Sequence, residues 1–257
     1  MIDAFGGAVR GRWDILAAPA GEGGHVTREN LVDATATQLL DRILAGDFES
    51  GALPNQDTLA RECGVSRLTV REAMKGLEQR GIIRVEHGVG TFVVPVDHWR
   101  DIDAIARLQR LDPNGTGVSA QLIEVRRMIE IGAAELCAVR RSDDLVDELG
   151  ACVARMEAAA HEDDVAGFVD ADIDFHDAIL RGTQNPFVAA IFDPMRSTLE
   201  FSRTQTSSVG QIRTNAIVQH HGVLDAIAAR DPDAARRAMT SHMDQTQNDL
   251  DTYVASR

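Results

Sequence analysis

Apolar side chains recur at Val70, Ala73, Met74 and Leu77, the i, i+3, i+4, i+7 spacing of one buried helix face. Arg67, Arg71 and Lys75 recur every four residues on the same helix and form a basic stripe beside the apolar one. Like charges so placed repel mildly in an isolated helix, which a polyanionic partner explains. Just upstream, Gly64 can take the positive φ of a tight interhelical turn, and Ser66 can cap the orphan N–H groups of the helix that follows. Asp57-Thr58-Leu59-Ala60-Arg61-Glu62-Cys63 predicts the helix before that turn. Leu31, Leu39, Leu40, Ile43 and Leu44 predict an earlier one, ended by Gly46. Downstream, Ile82-Ile83-Arg84-Val85-Glu86 and Thr91-Phe92-Val93-Val94 are short β-branched runs joined by His87-Gly88-Val89-Gly90, a hairpin. A hairpin after a helix-turn-helix is a wing.

A short helix is expected from Ile102 to Leu111, followed by a break at Pro113-Asn114-Gly115-Thr116-Gly117. Beyond it the β-type alternation disappears and helical periodicity runs nearly to the end, over segments 119–141, 143–161, 163–181, 186–205, 209–229 and 232–253. An antiparallel bundle buries six such stripes, so the chain reads as mainly α. The stripes carry polar residues in core positions. Val165, Phe168, Val169, Asp172, His176 and Ile179 share one face; Ile217, His220, Leu224 and Ile227 share another; Ala235, Ala238, Met239, His242 and Thr246 a third. A charged Asp buried without a partner costs several kcal/mol, so it calls for a cation or a hydrogen-bond network. One Asp and three His form a divalent-metal set, although any single histidine on such a stripe is more often a hydrogen-bonded core residue. Asp170, Asp172 and Asp174 do not make a calcium loop, because Phe175 and Arg181 stand where glycine and glutamate are needed.

With 40 acidic against 26 basic residues the net charge is −14, which would repel DNA if spread evenly. It is not: between Val65 and Arg84, five cations (Arg67, Arg71, Lys75, Arg80, Arg84) face two anions, Glu72 and Glu78. Screening over a Debye length of roughly 8–10 Å lets that patch outweigh a distant acidic domain. The 257 residues leave room for a second core after one winged-helix module. The organisation expected is a flexible glycine-rich tail over 1–28, a winged helix-turn-helix over 29–96, a linker with a short helix over 97–117, and an all-helical domain over 118–254. Cys63, Cys137 and Cys152 have no metal-like spacing and read as reduced thiols of a cytoplasmic protein. Asp14 interrupts the apolar run Ile15-Leu16-Ala17-Ala18, so neither a signal peptide nor a membrane association is expected.

Ala45-Gly46-Asp47-Phe48, Gly51-Ala52-Leu53-Pro54, Leu59-Ala60, Gly64-Val65-Ser66-Arg67, Val70-Arg71-Glu72-Ala73 and Gly81-Ile82-Ile83 resemble the winged helix-turn-helix of the GntR superfamily of bacterial transcription regulators. The resemblance implies that Arg67 and Arg71 touch DNA, with Ser66, Thr69 and Lys75 beside them and His87-Gly88 reaching the minor groove. The chain departs from the family at Asn55-Gln56-Asp57, where Ser-Glu-Arg is usual. Asp172-Ile173-Asp174-Phe175-His176, Asn185-Pro186, His220 with Leu224-Asp225-Ala226-Ile227-Ala228, Asp231-Pro232 and His242 resemble the helical effector domain of the FadR-type subfamily, called FCD. That resemblance implies Asp172, His176, His220 and His242 as ligands of a divalent ion of the Zn, Ni or Mn class. His221 is excluded because His220 alone has the right offset from Leu224. Glu124-Val125-Arg126-Arg127-Met128-Ile129-Glu130 resembles the opening of the same domain. Arg126 can lean inward as a bidentate partner for a carboxylate effector, with Asn215 as a second contact, or lie in a surface ion pair with Glu130. The implied partners are double-stranded DNA with a palindromic operator, a small organic acid, and a second copy of the chain. A metal-free acyl-CoA binder and a metalloenzyme fused to a DNA-binding module are the competing readings.

Overall fold

A computed structural model describes residues 28–48, 51–111 and 117–254, so the expected tail and the break at 113–117 fall almost wholly outside the described residues. Helices α1 (Arg28–Leu44), α2 (Gln56–Cys63) and α3 (Arg67–Gln79) build the first core. Gly64 ends α2 at φ 67° with its N–H bonded to the Ala60 carbonyl, and Ser66 Oγ accepts from Thr69 N at 3.1 Å to cap α3. Val70, Ala73, Met74 and Leu77 are buried with Leu39, Leu40, Leu59 and Ile82 in one cluster. The wing is β2 (Ile83–Glu86) and β3 (Gly90–Val93), antiparallel, with Arg84 opposite Phe92 and Glu86 opposite Gly90. A third strand, β1 (Ala52–Leu53), pairs antiparallel with β3 and gives the order β1-β3-β2. Two residues are too few to show alternation, so the apolar pattern does not announce it.

The first core does not stop at Val96. Trp99 donates its indole N–H to the Val94 carbonyl at 2.7 Å, and Ala104, on α4 (Ile102–Arg110), is wholly buried in the first cluster. Ile102 packs against the second cluster instead. The stretch expected as a linker from 97 therefore belongs to folded cores on two sides of its helix. Asp101 caps α4, accepting from Ala104 N at 2.6 Å, and also accepts from Arg80, the residue that ends α3.

The second domain is α5 (Gly117–Arg140), α6 (Asp143–His161), α7 (Val165–Gly182), α8 (Pro186–Phe192), α9 (Arg196–Ser207), α10 (Gly210–Ala228) and α11 (Pro232–Asp249), closed by a π turn at Leu250–Val254. Ser142, Asp164, Asn185 and Asp231 cap four of these helices through their side chains. The single helix expected over 186–205 is two, separated by a 3-10 turn at Asp193–Met195. Pro194 lacks the N–H and its ring collides with the preceding turn, which breaks a continuous helix there. Helix α5 packs on α7 and α11, α6 on α7 and α10, and α10 on α11, around Leu149, Met156, Phe168, Phe175, Met239 and Met243. The three cysteines are free, and burial pushes the Cys137 thiol up to about 12, which leaves it inert.

Candidate functional site

Asp172 and His176 stand one turn apart on α7, His220 lies on α10 and His242 on α11, and all four are buried. The three imidazoles offer ring nitrogens that lie within 4.8 Å of one another. His220 Nδ1 lies 2.6 Å from the Ala216 carbonyl, an acceptor, so Nδ1 carries the proton. In a neutral ring Nε2 then holds a lone pair, and it faces Asp172 Oδ1 at 3.0 Å. A lone pair aimed at a carboxylate is repulsive unless a cation meets both. His242 is buried with neither ring nitrogen hydrogen-bonded. A buried polar group left unsatisfied costs roughly 1–3 kcal/mol, so this pattern of orphaned nitrogens suits a divalent metal ion.

Two residues support the set from outside. Glu130 Oε2 lies 2.7 Å from His176 Nδ1, although the ring N–H direction misses it, and a carboxylate behind a ligating histidine is a common orienting partner. Arg126 Nε donates to Glu130 Oε1 at 2.7 Å, and its Nη2 lies 3.2 Å from His176 Nε2. The pair is buried, so it is not the surface ion pair that the sequence left open. Arg203 Nε lies 2.9 Å from Asp172 Oδ2. Burial works to raise both carboxylates, but Arg126 and His176 hold Glu130, and Arg203 with His220 and His176 holds Asp172, well below the usual range. Burial pushes His176 down to about 4 against the pull of Glu130, and pushes His242 well down with help from His220 and His176. Neutral imidazoles and an ionised carboxylate are the forms that bind a cation.

Arg126 and Arg203 line a cavity together with Asp172 and His242. Asn215 does not line it. Its amide donates to Asp249 at 3.0 and 3.3 Å, and Asp249 is the residue that reaches the cavity, so Asn215 is a support and not the direct effector contact expected. His221 is exposed and meets Glu157 at 2.8 Å, and Asp174 points outward to Arg155 at 2.7 Å. Glu130, Arg203 and Asp249 are site residues that sequence reasoning missed. Glu130 had a signal, since it follows Arg126 by one turn on a stripe that continues through Ala133, Ala134 and Cys137. Arg203 had none, because the buried face of α9 is itself mostly polar, with Thr198, Ser202 and Ser207.

On the first domain the charges face outward. Arg67, Arg71 and Lys75 are exposed, and each rests on a neighbouring carboxylate: Asp57 at 3.4 Å, then Glu72 at 3.4 and 3.2 Å. Lys75, more than Arg71, draws the Glu72 carboxyl below its ordinary value. Exposed pairs of this kind contribute little, so phosphates can replace the carboxylates. Thr69 departs from its expected role: it is buried and its hydroxyl is 2.8 Å from Ser66 Oγ, which commits both to the cap of α3. His87 and Gly88 form the tip of the wing, exposed, with Gly88 at φ 76°. Arg84 stacks over Phe92 at 5.0 Å on the same wing. Asn55, in the segment that departs from the resembled family, caps α2 by accepting from Thr58 N at 2.9 Å. Among the described residues no helix is long and apolar enough to cross a membrane.

The family described as "Bacterial regulatory proteins, gntR family" matches residues 31–93, and the FCD domain matches residues 121–245. The putative L-lactate dehydrogenase operon regulatory protein of Escherichia coli (strain K12) is 31% identical over 225 residues, which cover 85% of each chain. The galactonate operon transcriptional repressor of the same strain is 27% identical, covering 81% of this chain and 92% of that one. A solved structure described by the words "Lar controls the expression of the Listeria monocytogenes agr system and mediates virulence" shares the fold. It has a TM-score of 0.57 and 20% identity, over 86% of this chain and 97% of the other.

Proposed function

Because the chain belongs to the gntR family of bacterial regulators and carries an FCD domain, it is an effector-modulated DNA-binding regulator and not an enzyme, and we propose how that modulation works. A small carboxylate held at a divalent metal ion inside the helical domain sets the affinity for the operator. The observation that carries this reading is the group of three buried imidazoles, with no hydrogen-bond partner on His220 Nε2 or on either ring nitrogen of His242. His176, His220 and His242 would hold the ion with Asp172 as the fourth ligand, and the ion would supply a Lewis-acidic seat for a carboxylate oxygen. Glu130 orients His176, and Arg203 orients Asp172. Arg126 offers its guanidinium to the same carboxylate. A metal-free acyl-CoA site loses support, since an acyl tail in this cavity would lie against Arg126, Asp172 and Arg203.

On the DNA side, Arg67, Arg71 and Lys75 enter the major groove on α3 while His87 and Gly88 reach the minor groove. Winged-helix modules of this kind read paired half-sites about one helical turn apart, so the acting species is a homodimer on a palindrome. Two sites in separate domains communicate only if the effector binds the DNA-related states with different affinity. Purified chain should carry close to one divalent ion by elemental analysis. His220→Ala and His242→Ala should lower metal content and melting temperature together, because a ligand of the folded state stabilises it by mass action. His221→Ala should do neither. Metal-free protein of undiminished stability after gentle purification, or equal metal loss from His221→Ala, would overturn the site. A carboxylate that binds yet leaves operator affinity unchanged would overturn the coupling, for which a shift of about 5–150-fold is expected.

A further inference from the structure

Helix α5 carries one row of positions that faces solvent along its whole length. Glu124, Met128, Gly132, Leu136 and Arg140 follow each other four apart, so they form a single ridge, about 24 Å from end to end. Met128 is 79% exposed, and Leu136 and the neighbouring Val139 are exposed with it. The middle of the ridge is a gap: a Cβ added at Gly132 would meet no atom within 4 Å. Glycine inside a helix is unfavourable for the helix itself, so its use here is the close approach it permits from outside. Two other outward charges of α5, Arg127 and Glu135, are tied to Asp244 and Arg236 of α11 at 2.7 and 2.9 Å. Glu124 and Arg140, at the two ends of the ridge, have no ion-pair partner among the described residues. Arg140 gives one N–H to the Thr183 carbonyl at 2.5 Å and has others to offer.

The order along the ridge is acidic, apolar, glycine, apolar, basic, and its two halves are complementary once one is reversed. Two copies of α5 laid antiparallel about a twofold axis at Gly132 bring Met128 of each against Leu136 of the other, and Glu124 of each against Arg140 of the other. Ridges of four-residue spacing interdigitate when helices cross at about −50°, and the paired glycines let the two backbones come close at the crossing. The apolar surface continues past the helix. The turn before α8 is held to the end of α5, with Gln184 Nε2 donating to the Arg140 carbonyl at 2.9 Å. On α8, Phe187 is 77% exposed, and Ile191 stands exposed one turn later. Contiguous apolar surface of this kind marks a docking site, and α8 widens it toward the roughly 800 Å² per partner of a stable interface. We propose that the α5 ridge, with Phe187 and Ile191 at its edge, is the surface on which a second copy of the chain docks. This rests on the homodimer reading above and names the face that pairs. An unrelated partner gives no account of a charge order that complements its own reverse; a second copy does.

The test is sedimentation of the full-length chain over a concentration series, with and without operator DNA. Gly132→Leu fills space that the lone chain leaves open, so it should keep the helical circular-dichroism signal and weaken pairing about tenfold or more, as overpacking a joint does. Met128→Glu gives the same reading should the first variant fail to fold. Glu124→Arg and Arg140→Glu should each pair several-fold more weakly than the parent, because like charges then meet. Mixed in equal amounts, these two variants should recover the pairing, since each contact between the unlike chains is again between opposite charges. Pairing undisturbed by Gly132→Leu and Met128→Glu, charge variants that pair no worse alone than mixed, or a parent that pairs only on DNA would overturn this surface and leave the homodimer reading standing. A parent that stays monomeric and occupies the operator as one copy would remove that reading, and the surface with it.

Discussion

Arg71 and Arg126 each have a glutamate within one helical turn, and the two halves of the molecule treat the pair in opposite ways. Arg71 is half exposed and reaches Glu72 at 3.4 Å; Arg126 and Glu130 are almost wholly buried and meet at 2.7 Å. Water screens the first pair, so its carboxylate is a provisional partner that a phosphate can replace. The second pair has left water, where a guanidinium is retained only against a fixed counter-charge. The winged helix thus keeps its cations available, while the helical domain commits them to the shape of a cavity.

Removing one carboxylate from each pair sharpens that contrast. Glu130→Gln should cost about 3–5 kcal/mol of stability in urea unfolding, because Arg126 is left buried and uncompensated. Glu72→Gln should leave unfolding unchanged within error. Similar costs at the two sites would break the distinction between provisional and committed pairs. Operator binding reverses the ranking: Arg71→Ala should lose about 1–3 kcal/mol of specific affinity if it reads a guanine edge. Lys75→Ala should weaken all sequences alike and reduce the slope of binding against salt by about 1. Neither should change the melting temperature, and a folding defect in either would show that α3 uses its basic stripe internally.

The smallest effect expected lies between the two regions, at Asp101. Burial would raise its carboxyl, but Arg80 and the Ala104 N–H hold it below its ordinary value of about 3.9. A group depressed in the folded state contributes fully above the unfolded value and loses its contribution as pH falls through the lowered one. Stability should therefore decline below about pH 4 more steeply in the parent than in Asp101→Asn, which keeps a capping oxygen and drops the charge. Superimposable acid profiles would remove Asp101 from the link.

What the sequence disclosed follows the same division. Apolar period revealed α3, the wing and the long helices, and it separated buried His220 from exposed His221 by their offsets from Leu224. Pattern fails where a buried face is itself polar. Arg203 sits among Thr198, Ser202 and Ser207, with no apolar stripe to stand out from, and Asp249 lies at the last turn of a helix whose burial depends on two others, α5 and α10. Thr69 misled because a residue at the start of a recognition helix can face the groove or the cap, and the hydroxyl of Ser66 decides that only in three dimensions. The break at Pro194 was legible in principle, since proline inside a helical period marks an interruption whatever the flanking residues are.

The burial of Trp99 and Ala104 within the first cluster, with Ile102 in the second, sets the terms on which the two halves can be exchanged between proteins. A recombinant hybrid joined after Val96 would take half of a core from one parent and half from another, with Val94 facing a foreign side chain where Trp99 now donates to it. Joined after Arg110, the same hybrid would inherit the first core whole and need only a compatible neighbour for Ile102. The seam along which this protein can be shuffled thus lies beyond α4, about one helix later than the end of the wing.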